Sequence, residues 1–83
     1  MDAGQDETFK AWIAAYLPML HRIARAFAAG EDQHDLLQEL MLALWRAAPG
    51  FRGEAQASTY VYRVAHNAAL TWRRAESRSA RVR

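Results

Sequence analysis

The sequence predicts an all-α fold, a compact bundle of three to four helices, and three observations support this. Apolar residues recur at steps of three and four, which is the spacing of one face of a helix. No segment alternates apolar and polar residues as a strand does, and no Asn-Gly or Asp-Gly pair marks a hairpin. Gly30 and the pair Pro49-Gly50 separate the helical stretches. The 83 residues therefore predict one domain with a small core.

The first predicted helix covers about residues 6–28, where apolar residues from Phe9 to Phe27 form one face. Pro18 interrupts this stretch. Because proline has no N–H, Pro18 cannot bond the carbonyl of Ala14. The pattern therefore predicts either one helix kinked at Pro18 or two helices, with Pro18 in the first turn of the second.

Two further helices are predicted, at 32–47 and 57–76, and a loop begins at Phe51. Acidic residues open the first of these helices, and Ser58 or Thr59 caps or begins the other. Residues 77–83 are small and polar, which predicts the start of a linker leaving a domain at 1–76.

Charge is divided unevenly along the chain. Residues 1–45 carry three basic and seven acidic side chains, whereas residues 46–83 carry eight arginines and two glutamates. This asymmetry predicts that the second half meets a polyanion and the first half a different partner. A basic tail is the alternative, since Arg78, Arg81 and Arg83 supply part of the excess.

Several classes of protein are disfavoured. The chain lacks cysteine and has neither a signal peptide nor a run of the roughly 20 apolar residues that spans a bilayer, so a cytoplasmic protein without membrane contact is predicted. His21, His34 and His66 have no metal-ligand spacing, and no serine lies in a nucleophile motif. We therefore expect no enzyme activity, no metal and no cofactor.

The second helix predicts a surface for a protein partner. Six apolar residues lie on one broad side of this helix, which is predicted to face the core: Leu36, Leu37, Leu40, Met41, Leu44 and Ala47. The opposite face carries Asp35, Gln38, Glu39 and Arg46 around Leu42, with Trp45 at the edge. An apolar residue inside a polar rim is typical of a binding surface, although single exposed leucines are also ordinary.

The third helix predicts a nucleic-acid surface. Its core face is Ala57, Val61, Val64, Ala65, Ala68 and Trp72. Its opposite face carries Tyr60, Arg63, Asn67, Thr71, Arg74 and Arg78, flanked by Tyr62, His66 and Arg73. Arginines bind phosphates, a tyrosine ring stacks on bases, and an asparagine amide bonds a base edge. A solvated charged face is the alternative, but it does not explain the exposed tyrosine.

Two strings carry a resemblance to a known family. DLLQELMLALWR at 35–46 and FRGEAQASTYVYRVAHNAAL at 51–70 resemble region two of extracytoplasmic-function (ECF) sigma factors, over about residues 8–75. In that family the first string docks on the β′ clamp helices of core RNA polymerase. The resemblance thus implies a core-polymerase surface of Asp35, Gln38, Glu39, Leu42 and Trp45.

The second string resembles the promoter-reading part of the family. There a loop and the following helix separate the DNA strands and capture a flipped minus-ten base of the non-template strand. On this chain the loop is 51–58, and Asn67 matches a position near the captured base. The implied DNA-binding residues are Arg52, Gly53, Ser58, Thr59, Tyr60, Arg63, His66, Asn67, Thr71, Arg73 and Arg74. Where the family often has Phe-Arg-Thr-Trp, this chain has Ala-Ser-Thr-Tyr, so the ring at Tyr60 is smaller.

The resemblance also concerns partners and the extent of the chain. The family's second DNA-binding domain, which reads the minus-thirty-five element, is absent after Arg83, so an excised domain is expected. Anti-sigma factors commonly cover these same surfaces in the family. Two readings stay open beside it, a helical regulator that reads duplex DNA and a protein-interaction module that binds no DNA.

Overall fold

A computed structural model describes residues 3–53 and 56–82, with side chains for 4–53 and 56–77. These residues form three α-helices and a short 3-10 turn, and none of them lies in a strand. The elements are α1 (Ala3–Phe27), α2 (Asp32–Ala47), the turn Ala48–Gly50 and α3 (Ala57–Val82). The all-α prediction is confirmed.

α1 is a single helix that contains Pro18, so the one-helix alternative is the correct one. Pro18 and Ala14 both lie on the exposed side of the helix. The carbonyl of Ala14, which Pro18 cannot bond, therefore faces solvent, where water can satisfy it.

The connection between α1 and α2 is built around Gly30. This residue has φ +60°, in the left-handed region that glycine enters without strain. The side chain of Gln33 then donates from Nε2 to the carbonyl of Ala28 at 2.9 Å, which satisfies a carbonyl at the end of α1. α2 begins at Asp32, as predicted, with Asp32 and Asp35 in its first turn.

α3 is longer than the sequence pattern indicated. It extends to Val82, six residues beyond the predicted end at about 76. Polar residues had suggested a linker at 77–83, but residues 77–82 contain no glycine or proline, and their serines, alanine and arginines are compatible with a helix. That a linker follows the domain stays a prediction.

The core lies where the three helices meet, and α2 supplies its centre. Leu36, Leu40 and Leu44 are fully buried, as predicted. Among the described residues no polar or charged side chain is buried. The other buried side chains are Trp12, Leu20, Ile23, Ala24, Ala48, Val61, Ala65 and Ala69. Ala69 was not predicted, and the remaining expected members of the α3 core face are partly buried.

No described helix is both long enough and apolar enough to cross a bilayer.

The leucines of α2 offer a test of this packing. Leu40 is fully buried, so Leu40→Ala should lower the free energy of unfolding by about 2–5 kcal/mol. Leu42 on the same helix is 40% exposed, so Leu42→Ala should change it by less than about 0.5 kcal/mol. Chemical unfolding followed by circular dichroism measures both. Equal losses would contradict the packing of α2.

Candidate nucleic-acid and protein interfaces

The outward face of α2 brings together most of the residues predicted to bind a protein partner. Asp35, Gln38, Glu39 and Leu42 are all exposed, and we call them the acidic surface. Neither carboxylate of this surface forms an ion pair within the described residues. Gln38 lies 3.3 Å from the ring Nε2 of His34, one turn earlier. The acidic surface therefore presents two unpaired carboxylates around an apolar side chain.

Trp45 is held against α1 and is only partly available to a partner. Its ring packs edge-on against Phe9, with 5.4 Å between ring centroids. Its backbone carbonyl accepts a hydrogen bond from Nε2 of Gln5 at 2.8 Å. Trp45 is half-buried as a result. The residue predicted as the edge of the partner surface is thus also a link between α1 and α2.

α3 presents a line of exposed polar side chains, which we call the α3 stripe: Arg63, Asn67, Thr71 and Arg74. Their spacing of three and four residues places them on one face. The hydroxyl of Thr71 donates to the carbonyl of Asn67 at 3.1 Å and is therefore engaged within the helix. The amide of Asn67 forms no hydrogen bond among the described residues, so it is open to a ligand. Arg78 lies further along α3, and its side chain is outside the described residues.

Tyr60 does not lie on the exposed stripe, which corrects the prediction. Its ring packs against Phe51 and Trp12, with centroid distances of 5.2 and 5.8 Å. Its hydroxyl donates to the carbonyl of Ala47 at 3.2 Å. The helical pattern placed Tyr60 on the face opposite the core, but Phe51 and Trp12 pack against its ring and partly bury it. Tyr60 is therefore a packing residue with a bonded hydroxyl.

The exposed aromatic residue of α3 is Tyr62, which the prediction placed only on the flank. It is 49% exposed, and its ring stacks on that of His66 at 5.5 Å and 19°. His66 in turn meets Phe27 of α1 edge-on at 5.6 Å. The guanidinium of Arg73 lies 4.4 Å from the centre of the Phe27 ring, within cation–π range. The spacing of 62, 66 and 73 along one side of α3 was the signal for this cluster.

α3 begins at Ala57, as the helical pattern predicted, so the loop ends before Ser58 and is shorter than the range 51–58 that the family resemblance implied. Ser58 and Thr59 are exposed in the first turn of that helix and are not loop residues. Arg52 and Gly53 are exposed at the start of the loop, and Gly53 has φ +77°. Glu54 and Ala55 lie outside the described residues. We call the described start, 51–53, the loop base.

A groove of about 390 Å³ lies between α2 and α3 and connects the two candidate surfaces. Glu39 of the acidic surface lies at one side and Thr71 of the α3 stripe at the other. Its remaining lining is Ala43, Arg46, Ala68, Trp72 and Ala75. The two surfaces are therefore neighbours on one side of the bundle.

The Sigma-70 region 2 family matches residues 12–79, which is most of the chain and includes both candidate surfaces. The chain belongs to this family. The resemblance found from the two sequence strings is thereby confirmed. The sigma factor domain was correctly predicted from the residues of α2, the loop base and α3.

Two curated relatives come from Mycobacterium tuberculosis strain H37Rv. The ECF RNA polymerase sigma factor SigM is 36% identical over 69 residues, covering 82% of this chain and 35% of SigM. The ECF RNA polymerase sigma factor SigG is 42% identical over 40 residues, covering 48% of this chain and 11% of SigG. The chain thus spans about a third of SigM. No solved structure matches the chain significantly.

The backbone of the loop base yields a prediction. Gly53→Ala should lower the free energy of unfolding by about 1–2 kcal/mol, because a side chain is strained at φ +77° even though no atom lies within 4 Å of its Cβ. Gly50→Ala is the control, since Gly50 has no positive φ and its added Cβ would meet only ordinary contact. Thermal unfolding measures both. A loss at Gly50 as large as that at Gly53 would contradict the assignment.

Proposed function

We propose that the domain docks on core RNA polymerase through α2 and reads the promoter minus-ten element through the loop base and α3. The observation that carries this proposal is the pairing of two chemically opposite surfaces on one small bundle. Unpaired carboxylates surround Leu42 on α2, and arginines with a free amide line α3. A protein partner and a nucleic acid can therefore bind at the same time.

The acidic surface suits a basic protein surface. Its two carboxylates can form charge-assisted hydrogen bonds with arginines or lysines of the partner. Leu42 supplies an apolar centre, and burying a leucine fully stabilises a contact by up to about 1.5–3 kcal/mol. The family resemblance supports the β′ clamp helices as this partner, with the half-buried Trp45 at the margin of the contact.

The α3 side suits partly melted DNA. Arg52, Arg63 and Arg74 are exposed cations for phosphates, and the amide of Asn67 can bond a base edge. Tyr62 offers an exposed ring for stacking, a role expected of Tyr60 from the sequence. Flipping a base costs a few kcal/mol, so contacts specific to that base must offset the cost. We infer that Asn67 and the loop base supply such contacts on the non-template strand.

The proposed role requires binding without chemistry on a substrate, so we propose that the domain is no enzyme and needs no cofactor. We also propose that the protein acts in the cytoplasm, together with the polymerase. An anti-sigma factor would act by covering the acidic surface or the α3 stripe.

Charge reversal on the acidic surface tests docking. Asp35→Lys with Glu39→Lys should abolish co-purification with core polymerase, because two attractive charges become repulsive. The double change Asp6→Lys with Glu7→Lys, on α1, alters the net charge by the same amount as the α2 variant does and should leave docking intact. Helicity is checked for both variants by circular dichroism. Normal docking of the α2 variant would refute the assignment of this surface.

Salt dependence tests phosphate contact. If about four of Arg52, Arg63, Arg73, Arg74 and Arg78 touch phosphates, the slope of log affinity against log salt should be about −3 to −4. Arg63→Ala should reduce its magnitude by about one, whereas Arg22→Ala on α1 should not change it. Fluorescence anisotropy with pre-melted promoter DNA measures the slope. Nanomolar affinity for duplex DNA without polymerase would favour a duplex-reading regulator instead.

Asn67 tests base readout. Asn67→Ala should weaken discrimination at one minus-ten position by about 1–3 kcal/mol while polymerase docking persists. Thr71→Ala is the matched control, one turn further on the α3 stripe, because its hydroxyl already bonds the helix. Transcription from a promoter library with the reconstituted complex gives both preferences. An unchanged preference for Asn67→Ala would remove Asn67 from the readout.

A further inference from the structure

Tyr60 lies at the junction of all three helices with the loop base. Its ring contacts Trp12 of α1 and Phe51 at the start of the loop. Trp12 and Phe51 also meet each other, with 5.6 Å between centroids. The three rings thus form a closed triangle that joins α1, the loop base and the first turn of α3.

The hydroxyl of Tyr60 adds a directional contact to this triangle. It donates to the carbonyl of Ala47, the last residue of α2, where helical carbonyls lack partners within the helix. The turn that follows passes close to the same hydroxyl, since a Cβ on Gly50 would lie 3.4 Å from it. Phe51 then donates its N–H to the carbonyl of Ala48 at 3.2 Å. The hydroxyl therefore fixes the end of α2 from which the loop base departs.

Tyr60 and the α3 stripe share one rigid helix. Asn67 follows seven residues later, about 10 Å along the helix axis at 1.5 Å per residue. Whatever holds Tyr60 against Ala47 and Phe51 therefore also sets the distance between the loop base and the amide of Asn67. Arg52 and Gly53, which follow Phe51, are exposed to solvent. The side chain of Arg52 forms no hydrogen bond, ion pair or ring contact within the described residues.

We propose that Tyr60 is a positioning residue for minus-ten readout. It holds the loop base in register with Asn67, so that both address the same flipped base, and it does not stack on DNA itself. This inference rests on the proposed function. A positioning role differs from a stacking role, because positioning requires the hydroxyl of Tyr60 as well as its ring, whereas stacking requires only the ring.

The test uses Tyr60→Phe, which keeps the ring and removes only the hydroxyl. The reconstituted complex of this chain with core polymerase selects from single-stranded oligonucleotides randomised over the minus-ten positions. Loss of a hydrogen bond of typical net strength, about 0.5–1.5 kcal/mol, should reduce base preference about two- to tenfold at the position read by the loop base and Asn67. Docking on polymerase should be unchanged.

Two controls separate positioning from general stability. Tyr16→Phe removes a hydroxyl from a half-buried tyrosine of α1 that has no hydrogen bond among the described residues, and it should leave base preference unchanged. Ile23→Val removes a methyl group from the buried core and should lower the melting temperature about as much as Tyr60→Phe does, again with unchanged base preference. Thermal unfolding confirms that the destabilisations match.

The outcomes are distinguishable. A lowered preference in Tyr60→Phe with unchanged controls supports positioning. If Ile23→Val lowers the base preference as much as Tyr60→Phe does, Tyr60 has only a structural role. If Tyr60→Phe has the base preference of the wild type, the hydroxyl has no role in readout. Either result overturns this inference and leaves the proposed function intact. A wild-type complex without any base preference would overturn the proposed function itself.

Discussion

Burial of the leucine stripe of α2 is the constraint on which the rest of the structure depends. Leu36, Leu40 and Leu44 are fully enclosed between α1 and α3, and the chain has no disulfide to reinforce that contact. Once these three side chains are buried, the orientation of α2 about its axis is fixed. Because successive residues of a helix lie about 100° apart, the direction of every other side chain on α2 is then fixed as well. Leu42 and the carboxylates around it must then face outward. Core packing therefore decides which side chains of α2 face outward and form the acidic surface.

The sequence alone predicted the features that depend on periodicity. The bounds of α2, its buried leucines and the exposure of Asp35, Glu39 and Leu42 follow from a repeat of 3.6 residues read over four turns. The exposed line from Arg63 to Arg74 is predictable for the same reason. Membership of the Sigma-70 region 2 family was also within reach, because the residues that carry it lie in two continuous strings.

Features that depend on contacts between distant parts of the chain could not be read from periodicity. Tyr60 lies beside the core face of α3, and only the return of Phe51 and the approach of Trp12 decide that its ring is covered. Trp45 is likewise half-buried because Phe9 of α1 reaches it. The end of α3 was missed for a different reason, since polar composition alone does not end a helix that meets no glycine or proline.

The contact between Arg73 and Phe27 affects the entropy of binding on α3. A free arginine side chain samples many rotamers and loses up to about 2 kcal/mol of conformational freedom when a ligand fixes it. The ring of Phe27 already restricts the guanidinium of Arg73, at 4.4 Å. An anion that pairs with Arg73 therefore meets a preorganised donor and orders less of the side chain on arrival. Through this one ring α1, which carries none of the predicted contact residues, lowers the entropic cost of a contact made on α3.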